Sequence, residues 1–184
     1  MAKFNKTHLS IDQANARGVV HRDYIAHCLR WSHVLKVINK GGFYKNARVL
    51  DVGCGKEMPM ARALFTNRYA PLSYDGVDVN KLEMHAVFAS DKVRFKPTLH
   101  GETDFLTLKL PHSPNCITSF EVLEHVPPGH ARKMIERMYD LLDGSDENSV
   151  AIISTPCYDE RVGAAANHPN EITYQALGAA FEDV

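Results

Sequence analysis

Val49-Leu-Asp-Val-Gly-Cys-Gly55 is the stretch from which the rest of the chain can be read. Arg48–Val52 is a short β-branched run ending at Gly53, and it predicts a buried strand. Gly53 and Gly55 let the backbone turn sharply toward a helix and approach a ligand closely. Asp51 puts a carboxylate at the strand end, just before the glycines, where it suits a cationic ligand. A dinucleotide site wants G-x-G-x-x-G, and its third glycine would fall at Met58. A pyrophosphate also gains nothing from Asp51, so a nicotinamide-dependent enzyme is disfavoured.

Outward from this loop, strand and helix signals alternate. Residues 22–39 place Tyr24, Ile25, Cys28, Leu29, Trp31, Leu35 and Ile38 at helical spacing, and Gly41-Gly42 stops that helix. Residues 58–67 read as a helix with a proline in its first turn. Residues 73–79, 93–96, 116–122 and 149–155 are expected as further strands. Residues 129–142 predict a helix with Met134, Ile135, Met138, Leu141 and Leu142 on one face, and residues 172–181 predict a last one. Such alternation implies an α/β protein with crossover units, a mostly parallel sheet and helices on both faces. Ligands of such sheets sit at the carboxyl ends of the strands, so the loops after Val52, Val77, Phe120 and Ser154 matter most.

The chain has 184 residues, 45% hydrophobic and 23% charged, which suits one domain with a sizeable core. Residues 1–20 are read as a flexible arm and residues 21–184 as a single domain. No apolar run approaches the ~20 residues of a membrane span, and no apolar segment of a secretory signal follows Met1–Lys6. Cys28, Cys54, Cys116 and Cys157 lie far apart without a CxxC pair, which suits a reducing, cytoplasmic setting. Residues 1–50 hold nine Lys/Arg against two acids, net +7, which leaves −8 on the remainder. That basic N-terminal segment is a candidate contact for nucleic acid.

Tyr74-Asp-Gly-Val-Asp78 ends the second strand with a further acid, suited to accept both hydroxyls of a ribose. Leu50-Asp-Val-Gly-Cys-Gly55, Gly76-Val-Asp78 and Ser119-Phe-Glu-Val-Leu-Glu-His-Val126 together resemble the class I S-adenosylmethionine-dependent methyltransferases over about residues 45–180. The resemblance implies a Rossmann-like, doubly wound sheet. It implies that Asp51, Gly53 and Gly55 line the methionine part of the cofactor, that Asp78 holds the ribose and that Asp104 stands near the adenine amine. Glu121 is placed at the cofactor as well. Two departures stand out. Lys56-Glu57-Met58-Pro59 follows the glycines, where relatives carry a small residue, and Glu57 is expected to narrow the site or reach the cofactor's amino group. The antiparallel strand pair that usually finishes such folds is not found before Val184, and a protein partner is one way to complete the sheet.

Base-directed amino-methyltransferases carry a Pro-Pro-aromatic motif after the fourth strand; here Ser119-Phe-Glu-Val stands there, and Pro127-Pro128 is followed by Gly129. Thr155-Pro-Cys157 raises a cysteine nucleophile like that of RNA cytosine-C5 methyltransferases, but the second Pro-Cys of those enzymes is absent. The stronger clue is Glu121-Val-Leu-Glu124-His125. As one helical turn it would put Glu121, Glu124 and His125 on one face, with His168 as a fourth ligand, around a cation such as Mg²⁺ or Mn²⁺. E-x-x-E-H with a later H-x-x-E-x-T is similar to the small-RNA 3′-terminal 2′-O-methyltransferases, and E-x-x-E-H is shared with ubiquinone-pathway O-methyltransferases. The resemblance implies O-methylation of RNA or a small molecule, with His125 and Glu121 as catalytic residues. Arg22, Tyr24 and Trp31 on the first helix are expected to cap the site or to be core. The alternative is a methyltransferase-fold binding or assembly subunit without turnover.

Overall fold

A computed structural model describes residues 22–39, 46–66, 70–89, 93–161 and 163–182, with the side chains of 22–27 and 66 excepted. The expected arm over residues 1–20 and the Gly41-Gly42 stop lie outside the described residues.

Most of the strands carry apolar side chains on both sides. In β1 (Arg48–Val52), Val49 joins one hydrophobic cluster while Leu50 and Val52 join the other. That is the pattern of a parallel sheet covered on both faces. With β2 (Ser73–Val77), β3 (Thr98–His100), β4 (Cys116–Phe120) and β5 (Val150–Ser154) it forms a five-stranded sheet ordered β3-β2-β1-β4-β5, every pair parallel. The chain winds outward from β1 to β3, then returns to β4 on the other side of β1. The switch in strand order therefore falls between β1 and β4. Among the described residues there is no antiparallel strand, and β5 is paired on one side alone.

Helices α1 (Arg22–Asn39) and α2 (Pro59–Thr66) bring Val34, Ile38, Met60, Ala61 and Leu64 to the first cluster, with Tyr74, Phe88 and Phe95. Helix α3 (Pro128–Leu141) brings Ala131, Met134, Ile135 and Met138 to the second, and α4 (Tyr174–Glu182) adds Leu177 and Ala180 at its margin. Each fully buried aliphatic side chain contributes roughly 1.5–3 kcal/mol. In α1 the apolar stripe is Trp31, Val34, Leu35 and Ile38, at i, i+3, i+4 and i+7. Leu29, expected on that face, is 67% exposed. Trp31 packs against the core, so it is core and not a cap.

The expected strand over residues 93–96 is not formed; β3 lies just beyond it. Phe95 is drawn into the aromatic core, 5.7 Å from Phe88 between ring centroids. Pro97 has no N–H to give a ladder, so pairing begins at Thr98. Helix α2 starts at Pro59 and α3 at Pro128, where a missing donor is tolerated. Among the described residues no helix is long and apolar enough to cross a membrane.

At the amino end of the sheet, the fully buried Asn115 ties three segments together. Its Oδ1 accepts from the Arg48 N–H at 2.7 Å, and its Nδ2 donates to the Asn46 carbonyl at 3.0 Å and to Asp146 at 2.8 Å. Asn115→Ala leaves those groups without their partner and is expected to cost about 2–4 kcal/mol, read as a lower midpoint in urea unfolding.

Candidate active site

The carboxyl ends of β3, β2, β1 and β4 are followed in that spatial order by Asp104, Asp78, Gly53 and Glu121. All four line one cavity of about 300 Å³, together with Val79, Phe105, Val122, His125, His130 and Met134. The glycine loop opens it. Gly53 has φ 73°, and its N–H donates to the Val77 carbonyl at 2.8 Å. A Cβ at Gly53 would stand 2.2 Å from Val122 Cγ2, so both the conformation and the close approach demand glycine. Gly55, at φ 66°, does not line the cavity; it contributes its N–H, which donates to Asp78 Oδ2 at 3.0 Å. Asp78 Oδ1 accepts from the N–H and Nδ2 of Asn80 at 2.8 and 2.9 Å. The Asp78 carboxylate is thus oriented by backbone on both sides and faces the cavity. Asp104 caps the 3₁₀ turn of residues 105–107, accepting from the Leu106 N–H, with His130 Nε2 at 3.8 Å.

Asp51 does not line the cavity. It is buried behind the loop and accepts from the Tyr74 hydroxyl at 2.5 Å and Thr118 Oγ1 at 2.8 Å. Burial pushes its carboxyl up to about 6, against the pull of those two hydrogen bonds. Burial, with Asp51 and Asp78 nearby, likewise holds the Cys54 thiol protonated. Met58 takes φ 44° and is fully buried, whereas the Glu57 side chain is 78% exposed beside Arg62 and away from the cavity. The expectation that Glu57 narrows the site is corrected accordingly.

A second group of side chains adjoins the cavity. One ligand atom each of Glu124, His125 and His168 lies within 4.8 Å of the others. Glu124 is buried, accepts from Thr155 Oγ1 at 3.2 Å, and has its pKa raised by desolvation. His125 Nδ1 lies 3.2 Å from the Asn167 carbonyl, which can only accept, so Nδ1 donates there and Nε2 faces Glu124 Oε1 at 4.0 Å. His168 Nδ1 is held by Glu171, which leaves its Nε2 available. The two rings meet edge to face at 4.7 Å. Asn170 docks the distant His168 segment, its Nδ2 donating to the Leu123 carbonyl and its N–H to the Glu124 carbonyl.

Glu121 departs from the expected helical turn. Its φ of 58° lies outside it, and only Leu123–His125 form a 3₁₀ turn. Its N–H continues the ladder to the Ser154 carbonyl, its Oε1 accepts from Ser154 Oγ at 2.9 Å, and its Oε2 lies 3.3 Å from Arg30. It lines the cavity but is not among the three groups that converge. Cys157 is exposed, in a bridge to Ile172, and does not line the cavity. The side chains of Arg22 and Tyr24 lie outside the described residues. Thr155, Asn167, Asn170 and His130 were not among the expected site residues; Asn167 and Asn170 flank His168 in Asn167-His-Pro-Asn-Glu171, which was the legible signal.

The methyltransferase-domain family matches residues 22–180, and the chain belongs to that family. It is an S-adenosylmethionine-dependent methyltransferase of class I architecture. No curated protein sequence matches it significantly. Among solved structures it is similar to the small RNA methyltransferase HEN1, with TM-score 0.69 and 20% identity over 89% of this chain and 22% of that one. It is also similar to the magnesium protoporphyrin IX methyltransferase of Synechocystis PCC 6803 with bound S-adenosylhomocysteine. There the TM-score is 0.64 at 17% identity, over 95% of this chain and 77% of that one. TehB from Haemophilus influenzae gives 0.61 at 15%, over 94% and 54%. At these identities the likeness establishes the fold.

The raised Asp51 carboxyl makes stability pH-dependent. The native state holds a proton that the unfolded chain releases above about 3.8, so this contribution is present below 3.8 and lost as pH rises through 6. Asp51→Asn removes the titration. Its stability relative to the parent is expected to rise by about 2 kcal/mol between pH 4 and pH 7, measured as the difference in urea unfolding free energy.

Proposed function

We propose that this enzyme transfers the methyl group of S-adenosylmethionine to a hydroxyl oxygen of RNA or a small molecule, with Mg²⁺ or Mn²⁺ held by Glu124, His125 and His168. The carrying observation is that His125 belongs to both sites: it lines the cavity and is one of the three converging groups. Two imidazoles with a bonded Nδ1, beside a buried carboxylate, fit a divalent ion and its supporting contacts, and nitrogen donors suit Mn²⁺ better than the oxygen-seeking Mg²⁺. A bound divalent cation would polarise and orient an acceptor hydroxyl.

The remaining steps fall to the chain's own residues. Asp78 accepts the ribose hydroxyls, Asp104 the adenine amine, and Val79, Phe105 and Val122 supply the apolar wall. The acceptor oxygen attacks the sulfonium methyl in line; the new O–C bond forms as the S–C bond breaks, leaving S-adenosylhomocysteine. With a cation held there the hydroxyl proton passes to solvent; without one, His125 Nε2 is the group placed to take it, with Glu121 beside it on the cavity wall. Holding both reactants at near-attack distance supplies up to ~7–11 kcal/mol.

The similarity to a small RNA methyltransferase supports an RNA acceptor, and that to a porphyrin methyltransferase supports a small one. Most of the basic segment lies outside the described residues; of its described cations, Arg30 pairs with Glu121 and Arg48 with Asp143, while Lys36 beside His33 is exposed on α1. Nucleic-acid contact is therefore proposed through that face of α1 and the segment before it. A binding or assembly subunit is the second reading, favoured by the outer edge of β5, which is unpaired among the described residues and to which a partner strand can add.

Calorimetric titration with S-adenosylmethionine tests the first reading. Micromolar binding is expected, lost in Asp78→Ala. Methyl transfer to RNA 3′ ends or to a small hydroxyl compound should depend on Mn²⁺ and fall at least a hundredfold in His168→Ala. Binding without transfer to any acceptor would favour the assembly reading; no binding would refute the first.

A further inference from the structure

We infer that Arg30 is a positioning residue that holds Glu121 apart from the Glu124–His125–His168 cluster, and so sets how many protein ligands a divalent cation meets there. The inference rests on the cation reading above. Glu121 sits at φ 58°, a left-handed conformation that a residue with a Cβ adopts only at a cost. Such strain persists where the surroundings enforce it. Here three contacts do so: the Glu121 N–H to the Ser154 carbonyl, Ser154 Oγ to one carboxylate oxygen, and Arg30 at 3.3 Å from the other. The Glu121 and Arg30 side chains are both mostly buried, at 22% and 26% exposure, so the pair is weakly screened.

The pair also has an electrostatic reason. Glu121 and Glu124 are three residues apart, and the Glu121 charge disfavours that of Glu124. The Arg30 guanidinium offsets the Glu121 charge, so Glu121 is stable without a cation. Without Arg30, Glu121 keeps Ser154, a neutral donor, as its side-chain partner among these contacts. Its carboxylate then becomes available to a cation beside Glu124. Because Arg30 is carried by α1, the seating of that helix and the ligand count at the cluster are linked.

The test is a Mn²⁺ titration of the full chain, followed by electron paramagnetic resonance of the free ion. It compares the parent, Arg30→Gln, Glu121→Gln and the double variant, with Glu124→Gln as the site control. Arg30→Gln is expected to tighten Mn²⁺ about tenfold, and Arg30→Lys to restore the parent affinity. Glu121→Gln alone should change it by less than about threefold, and Arg30→Gln should then add less than about twofold. An unchanged affinity in Arg30→Gln overturns the inference. So does a gain that survives in the Glu121→Gln background, which is simple charge repulsion. A tenfold or greater loss in Glu121→Gln alone overturns it too, because Glu121 is then already a ligand. If the parent binds no Mn²⁺, the cation reading itself falls and takes this inference with it.

Discussion

The closeness of Gly53 to Val122 is the constraint on which the site depends. β1 must turn away at a positive φ, and the loop after β4 must pass where a Cβ would otherwise be. Only a glycine satisfies both demands. That approach brings the ends of β1 and β4 together at the switch in strand order. It also leaves the Gly55 N–H free to orient Asp78. The cavity at the strand ends, and the turn that carries Glu124 and His125, are consequences of how these two strands end.

The second theme is negative charge held in a small space. Asp51, Asp78, Glu121 and Glu124 all lie near the carboxyl ends of the strands, and each is tolerated differently. Asp51 is buried and meets two hydroxyl donors, which do not fully offset its desolvation. Asp78 is bound by backbone and Asn80. Glu121 has an arginine, and Glu124 has Thr155 and two imidazoles close by. A ligand with a positive sulfonium and an ammonium group, or a divalent ion, meets a surface already arranged to receive positive charge.

Much of this was legible in the chain. The β-branched runs ending in glycine or acid gave β1, β2 and β4, because strand length and burial are local signals in a parallel sheet. Asp78 was recognisable by its place at the end of a strand, whereas Asp104 followed only from the family resemblance. The third strand was misplaced because an apolar run around Phe95 looks the same whether it pairs or packs; Pro97 decided the matter. Glu121 was misjudged for a related reason. Spacing of i, i+3, i+4 implies a shared face only if the backbone is helical throughout, and the ladder to Ser154 forbids that at Glu121.

By itself, the sequence determined the fold class, the glycine loop and the identity of the acids, since these depend on period, turn chemistry and residue type. Tertiary structure alone decided which groups meet. His168 reaches His125 because Asn170 binds the turn at Leu123 and Glu124. Arg30 reaches Glu121 because α1 is anchored on the sheet by Val34 and Ile38. Asp51 retreats from the cavity because Tyr74 and Thr118 offer it donors in the core. Contacts between residues so far apart in the chain are set by packing and by the need to satisfy buried polar groups, and no local pattern encodes them.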